Sequence, residues 1–295
     1  MRALTMLLAC CAALAGGAAR APAADLQTLT LGNEDRTYRL YRPASLSWSH
    51  SAPLVVMLHG GFGSGLQAEN DYRWDALADA YGFVVVYPDG IDHSWNAGGC
   101  CGPAMRHDVD DVRFLTALVE HVRANQRIDP SRIYVTGISN GAMMAYRLAC
   151  ESTVHFAAVG SVAGTLEVPC GDATPTSILH VHGLDDRNVP FHGGMPTQGV
   201  EHSPRMAIPD VIARWRAIDG CAKASVTAEG PVTTDAAHCA DGRDVTLVTI
   251  AGAGHQWPGG MAPTQAAAII FHLDPPSRAL DATGVLWTFF SKHSL

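Results

Sequence analysis

The chain has 295 residues, 47% of them hydrophobic and 16% charged, a length and composition that suit one large domain with a substantial core. Twenty Lys and Arg against 28 Asp and Glu give a net charge of −8, and an acidic surface argues against nucleic acid or anionic lipid as partners. No stretch approaches the ~18 consecutive apolar residues of a membrane span, and no repeat, low-complexity tract or Pro/Ser-rich linker divides the chain.

Residues 1–24 read as a secretory signal peptide. Arg2 gives a positive start, Leu4 to Ala15 is a small and apolar run, and Ala21-Pro22-Ala23-Ala24 offers a small-residue cleavage site. The expected location is secreted or periplasmic, with residues 25–295 as a single domain and the chain a monomer. Leu7-Leu8-Ala9-Cys10 also resembles a lipoprotein cleavage box, which would anchor the chain through Cys10. That cysteine lies so early that cleavage there would leave almost no apolar segment. Loss of Arg2 and Arg20 with the leader leaves 18 basic and 28 acidic residues, a net charge near −10.

Along the remaining chain, Thr37–Arg42 alternates and predicts an antiparallel edge strand. Leu54–Leu58 predicts the first buried strand, followed by a helix over Asn70–Tyr81 and a strand over Phe83–Tyr87. Then come a helix over Asp110–Val122, a strand over Ile133–Thr136, a helix over Gly141–Ala149, and strands over Ala157–Val162 and Ile178–Val181. Pro209–Ile218 predicts a helix, Val245–Ile250 a last strand and Ala282–Phe290 a closing helix. Continuous apolar runs of strand length indicate strands buried on both faces. Their alternation with helices predicts a doubly wound, mostly parallel α/β sheet, whose ligands bind beyond the carboxyl ends of the strands.

Ile133-Tyr134-Val135-Thr136 runs into Gly137-Ile138-Ser139-Asn140-Gly141, which runs into a helical pattern. A strand, a tight turn and a helix together project a serine hydroxyl above the sheet, the elbow of the α/β-hydrolase fold. Serine needs a base, and the fold places an acid and then a histidine after later strands. The acid is Asp185 or Asp186, both on the loop after the Ile178–Val181 strand. The histidine is His255, in the small-residue loop Ala251-Gly252-Ala253-Gly254 that follows the Val245–Ile250 strand; His272 and His293 are less well placed. Oxyanion donors are expected from the Asn140 amide and from the His59-Gly60-Gly61-Phe62-Gly63 loop, with Gly61 and Phe62 as candidates. The short stretch 163–177 leaves no room for a cap domain there. Trp257, two residues past the histidine, and Trp95 are candidate substrate-contacting rings.

Six cysteines remain after the leader, and an even count in an oxidising compartment favours disulfides. No paired Cys/His spacing predicts zinc, and neither metal nor cofactor is expected. The helix after Ser139 descends, putting Cys150 at the lower edge of the sheet within reach of Cys170. Cys221 ends a helix and Cys239 precedes the last strand, so Cys221–Cys239 closes a short loop worth ~3 kcal/mol in the chain-entropy model. Elimination leaves Cys100–Cys101, a vicinal pair near the upper edge, bridged or reduced.

A family resemblance emerges from several motifs in order. They are Leu58-His59-Gly60-Gly61, Tyr87-Pro88-Asp89-Gly90, Trp95-Asn96-Ala97-Gly98, Cys100-Cys101-Gly102, Val109-Asp110-Asp111-Val112, the serine elbow, His182-Gly183 with Asp186-Arg187-Asn188-Val189-Pro190-Phe191, and Gly254-His255-Gln256-Trp257-Pro258-Gly259-Gly260. Together these resemble the polyhydroxybutyrate depolymerase family, whose relatives include feruloyl and acetylxylan esterases. The resemblance runs from about Leu29 to Phe290. It implies the α/β-hydrolase fold and a Ser139–His255–Asp186 triad, Asp186 being selected over Asp185 by its place four residues after His182.

The implied activity is hydrolysis of carboxylic esters through an acyl-enzyme, on hydroxyalkanoate oligomers or polyesters, or on phenolic esters of the feruloyl type. Gly61-Phe62 departs from many relatives, which carry Cys or polar residues there. No linker or polymer-binding segment follows the predicted domain, which directs the expectation to a small ester or oligoester substrate. An acyltransferase on the same triad and an acetylxylan-type esterase are the alternatives, and a silent binding protein would require a broken triad.

Overall fold

The computed structural model describes residues 24–171, 173–199, 203–270 and 273–295. The leader read over 1–24, apart from Ala24, lies outside the described residues, as do Cys10 and His272. The buried apolar runs form parallel strands β3 (Ala52–Leu58), β4 (Val84–Pro88), β5 (Ile128–Ile138), β6 (Ala158–Val162), β7 (Ser177–Gly183) and β10 (Asp244–Ile250). Antiparallel β1 (Asp25–Leu31) and β2 (Glu34–Tyr41) extend one edge, and β9 (Val232–His238) and β8 (Ser225–Glu229) extend the other. The ten strands form one sheet in the order β1-β2-β4-β3-β5-β6-β7-β10-β9-β8. This is the α/β-hydrolase fold, with no large inserted cap domain apparent among the described residues.

Side chains alternate across the central strands, as the pleat requires. Leu54, Val56 and Leu58 of β3 join one apolar layer with Val84, Val86, Ile133 and Val135, while Val55 and Met57 join the other with Val85, Tyr87 and Tyr134. Helices α4 (Asp111–Asn125), α5 (Asn140–Glu151) and α6 (Ile208–Ile218) cover the first face. Helices α1 (Gly65–Tyr72), α2 (Trp74–Tyr81) and α8 (Ala282–Phe290) cover the second. Short α3 (Gly102–Arg106) and α7 (Gln265–Ile270) complete the set. No helix of the described residues is long and apolar enough to cross a membrane.

Two expectations change. The helix expected over Asn70–Tyr81 is two helices: Arg73 takes a left-handed conformation (φ 64°) that ends α1 and starts α2, so Tyr72 and Trp74 both turn into the core. The hairpins β1–β2 and β8–β9 exceed the single edge strand expected. β8 lies wholly in solvent and carries no buried alternation to read, and β1 alternates only weakly, with Leu29 and Leu31 half-buried against the core. Disulfides join Cys150 to Cys170, Cys221 to Cys239 and Cys100 to Cys101.

The chain order reverses between β3 and β5, which pair side by side with Leu58 opposite Gly137. That is the switch point at which a doubly wound sheet opens a crevice. On the same edge β7 pairs with β10, with Gly183 opposite Ile250. Four loops that leave the carboxyl ends of two neighbouring strand pairs therefore converge.

Candidate active site

β5 delivers Ser139 at its tip. The residue holds φ 54° and ψ −122°, between the strand and the first turn of α5. A strained non-glycine residue of this kind persists only where its surroundings enforce it. A side chain at Gly137 would strike the backbone of Gly141 and Leu58, and one at Gly141 would strike the carbonyls of Leu58 and His59. The elbow needs both glycines for clearance against β3 and its loop.

The loop after β10 brings His255 to the serine, with Nε2 2.9 Å from Ser139 Oγ, and Nδ1 lies 2.8 Å from Asp186 Oδ2. The other Asp186 oxygen accepts the backbone N–H groups of Asn188 and Val189, at 2.9 and 2.8 Å. Asp185 is exposed, and its amide N–H donates to the Ala253 carbonyl, tying the acid loop to the histidine loop. Of the two aspartates, the structure brings Asp186 to the histidine. His293 sits far from it, with Nε2 3.0 Å from Asp244 at the opposite end of β10.

Burial raises the Asp186 carboxyl, but the neighbouring His255 imidazole and the hydrogen bonds the carboxylate accepts outweigh burial and hold it below its ordinary value. For His255, burial lowers the imidazole, but Asp186, with a smaller contribution from Asp274, lifts it above the usual histidine value. Sequence reasoning missed Asp274. Its Oδ2 accepts the His255 backbone N–H at 2.8 Å, and its carboxylate occupies the space that a side chain at residue 254 would need. Glycine at that position was the one available signal.

Behind the acid lies a second feature that the sequence did not announce. His182 Nε2 lies 2.8 Å from the Val189 carbonyl and 3.5 Å from Asp186 Oδ2. His180 Nε2 lies 2.9 Å from His182 Nδ1, and the Tyr146 hydroxyl 2.7 Å from His180 Nδ1. A carbonyl only accepts, so His182 carries its proton on Nε2. Its Nδ1 must then accept from His180, and His180 from Tyr146. Burial pushes both histidines down and keeps them neutral. The chain Tyr146→His180→His182 thus ends on the Val189 carbonyl, with His182 Nε2 3.5 Å from the acid.

On the oxyanion side, Asn140 opens α5 with its amide at the helix N-terminus, where backbone N–H groups lack helical partners. The Phe62 amide donates to the His93 carbonyl at 2.8 Å. Of the two loop candidates Phe62 is therefore engaged elsewhere, and Gly61, whose Cα faces the Asn140 side chain, remains. His59 steadies the loop. Its Nε2 accepts the Gly90 N–H, its Nδ1 donates to the Gly60 carbonyl, and burial pushes it down to about 4.

Trp95 requires a correction. It is fully buried and does not reach the cleft. Its indole N–H donates to the His59 carbonyl at 2.9 Å, and its backbone N–H and C=O meet the side-chain amide of Asn140 at 2.7 and 2.9 Å. A buried asparagine needs both an acceptor and a donor, and Trp95 supplies them to Asn140.

Ser139 and His255 open into a cleft of about 390 Å³ with apolar walls from Ile138, Met143, Val189, Trp257, Met261 and Leu273. Trp257 lines it while remaining 3% exposed: the ring stacks on Tyr72 at 4.6 Å and its N–H donates to the Thr283 hydroxyl at 3.0 Å. It is a core residue with one surface in the cleft. The vicinal pair lies at the same edge, Cys101 in the cleft wall.

A family model described as Esterase PHB depolymerase matches residues 36–191. NocK of Nocardia uniformis subsp. tsuyamanensis, a protein that carries the name of an esterase, is 32% identical over 276 residues, covering 85% of this chain and 80% of that one. Feruloyl esterase B of Piromyces equi is 29% identical over 226 residues; the match covers 72% of this chain but only 41% of that relative's length. An acetyl xylan esterase from Aspergillus awamori superposes with a TM-score of 0.61 at 16% identity, over 91% of this chain and 99% of that one, a likeness of fold alone. With a family model matching more than half of its residues, this α/β-hydrolase superfamily esterase belongs to the Esterase PHB depolymerase family.

Proposed function

We propose that the chain hydrolyses carboxylic esters through an acyl-enzyme on Ser139, acting on small esters or soluble oligoesters with an apolar acyl part, of the hydroxyalkanoate or feruloyl type. The observation that carries this reading is the continuous hydrogen-bonded line from Asp186 through His255 to Ser139 at the floor of an open, apolar cleft. His255 Nε2 takes the Ser139 proton as Oγ attacks the ester carbonyl. The amides of Gly61 and Asn140 receive the developing oxyanion. Collapse expels the alcohol, which leaves with the proton from His255, and a water activated by the same nitrogen releases the acid and regenerates Ser139.

An open cleft admits that water, which favours hydrolysis over transfer to a second alcohol. The small-residue site at Ala21–Ala24 supports export to a secreted or periplasmic location. The test compares kcat/KM on p-nitrophenyl acyl esters, methyl ferulate and hydroxybutyrate oligomers, with an added sugar alcohol as a competing acceptor. Preference for acetylated xylan over all three, or partition of the acyl group to the sugar ahead of water, would overturn the reading.

A further inference from the structure

Ala24, the first described residue, is 5% exposed, although most of the strand that follows it lies in solvent. It packs in the same apolar layer as Tyr41, Ala68 and Tyr72. Its nitrogen lies 2.6 Å from Oε1 of Glu69 in α1, and its carbonyl accepts from Arg39 Nη1 at 2.8 Å. A buried residue is thus gripped at both ends where an otherwise exposed edge strand begins.

The carboxylate that holds it is short of partners. Glu69 is 6% exposed, and its Oε2 is buried with no hydrogen bond; Arg39 stands off at 3.7 Å. Around it lie two further carboxylates, Asp75 and Asp79, each accepting a tyrosine hydroxyl, from Tyr87 and Tyr41. Burial first, then the charges of Glu69 and Asp79, push Asp75 up to about 7 against the Tyr87 hydrogen bond. Among the described residues, the group sets three acidic side chains against the guanidinium of Arg39. An isolated buried carboxylate is destabilising unless a cation and hydrogen bonds compensate it. One peptide N–H cannot serve both oxygens of Glu69; an ammonium, with three hydrogens and a full charge, can.

The sequence supplies that ammonium. Small residues three and one positions before a bond mark a leader cleavage site, and Ala21-Pro22-Ala23 places that bond between Ala23 and Ala24. We propose that processing cuts there, one residue before the boundary first read from the sequence, and that the new α-ammonium of Ala24 forms a buried ion pair with Glu69. Hydrolysis of the Ala23–Ala24 amide consumes one water and leaves the carboxylate on the departing leader and the amine on Ala24. Processing then completes the acidic cluster that α1 and α2 present to the start of β1, and the fold gains a charge there that the uncleaved chain lacks. The inference does not depend on the identity of the ester substrate or on the triad.

The experiment expresses the full chain with its leader in an exporting bacterial host and reads the mature protein by N-terminal sequencing and intact mass. A start at Ala24 is expected; a start at any other residue overturns the proposal. A second measurement compares the Ala24-start protein with one that carries a single extra alanine before Ala24, each with and without Glu69→Gln. The extension is expected to lower Tm by roughly 3–8 °C beside Glu69 and by less than ~1 °C in the Glu69→Gln background. Equal losses in the two backgrounds would refute the ion pair. Should Glu69→Gln not fold, acetylation of the α-amine in the native background serves instead, and an unchanged Tm would refute it.

Discussion

Replacing Asp186 by Asn exchanges one oxygen for an NH2 group at nearly constant volume, so its effect is a question of hydrogen-bond direction. Two backbone N–H groups, of Asn188 and Val189, point at Oδ1, and His255 Nδ1 faces Oδ2. The asparagine carbonyl must stay with the two N–H donors, which turns its NH2 toward His255. Nδ1 then accepts, the proton moves to Nε2, and His255 donates to Ser139 where it should accept. Flipping the amide restores the productive tautomer but sets donor against donor at two buried N–H groups. At ~1–3 kcal/mol for each unsatisfied group, the flip costs about 4 kcal/mol, or about 10³-fold in rate.

Asp185→Asn, on an exposed side chain, is expected to stay within about threefold of the native rate. The assay is kcat/KM on p-nitrophenyl butyrate across pH. In the native protein the rate falls as pH drops through the His255 pKa, which Asp186 holds above the ordinary histidine value; protonated His255 cannot take the serine proton. Without the Asp186 charge that limb moves to lower pH. Equal losses in the two variants, or an acid limb that stays in place, would refute the assignment.

Ser139→Ala is expected to fold normally and to lower esterase activity by more than ~100-fold; residual activity above about one part in a hundred would point to another nucleophile. His182→Gln cuts the donor chain behind Asp186. It should lower kcat about tenfold with KM unchanged and shift the acid limb of the pH profile, whereas a loss confined to Tm would mark a packing role. Trp257→Ala removes a buried ring stacked on Tyr72 and the hydrogen bond to Thr283, and should cost ~3–5 kcal/mol of stability, read by denaturant unfolding. Relative rates across acyl chain lengths should change with it, because the ring lines the cleft, and unchanged ratios would assign Trp257 to the core alone. Cys221→Ser with Cys239→Ser should cost ~3 kcal/mol, and an unchanged Tm would show that the loop is held by other contacts.

The sequence carried the central sheet and its polarity because β3, β4, β5, β6, β7 and β10 are buried on both faces. Runs such as Leu54–Leu58 and Val84–Tyr87 can fold as little else. It carried the serine elbow for a steric reason, since only glycine fits at 137 and 141 against β3 and its loop. The positions of His255 and the Asp185–Asp186 pair followed from their places after strands. The outer strands were harder to read: β8 faces water and leaves no apolar period, and in β1 only Leu29 and Leu31 touch the core.

The tertiary structure alone decided what depends on direction. Pairing of β7 with β10 and the two amides beyond Asp186 turned that carboxylate, and not Asp185, toward His255. Engagement of the Phe62 amide by the His93 carbonyl left Gly61 as the remaining loop candidate, and burial behind Asn140 withdrew Trp95 from the cleft. Asp274, the imidazole chain behind the acid and the grip of Glu69 on Ala24 join residues 19 to 45 positions apart or on alternate positions of one strand. A linear pattern records which residues share a face, but which atom of a side chain meets which partner is fixed only when separate strands and loops are brought together.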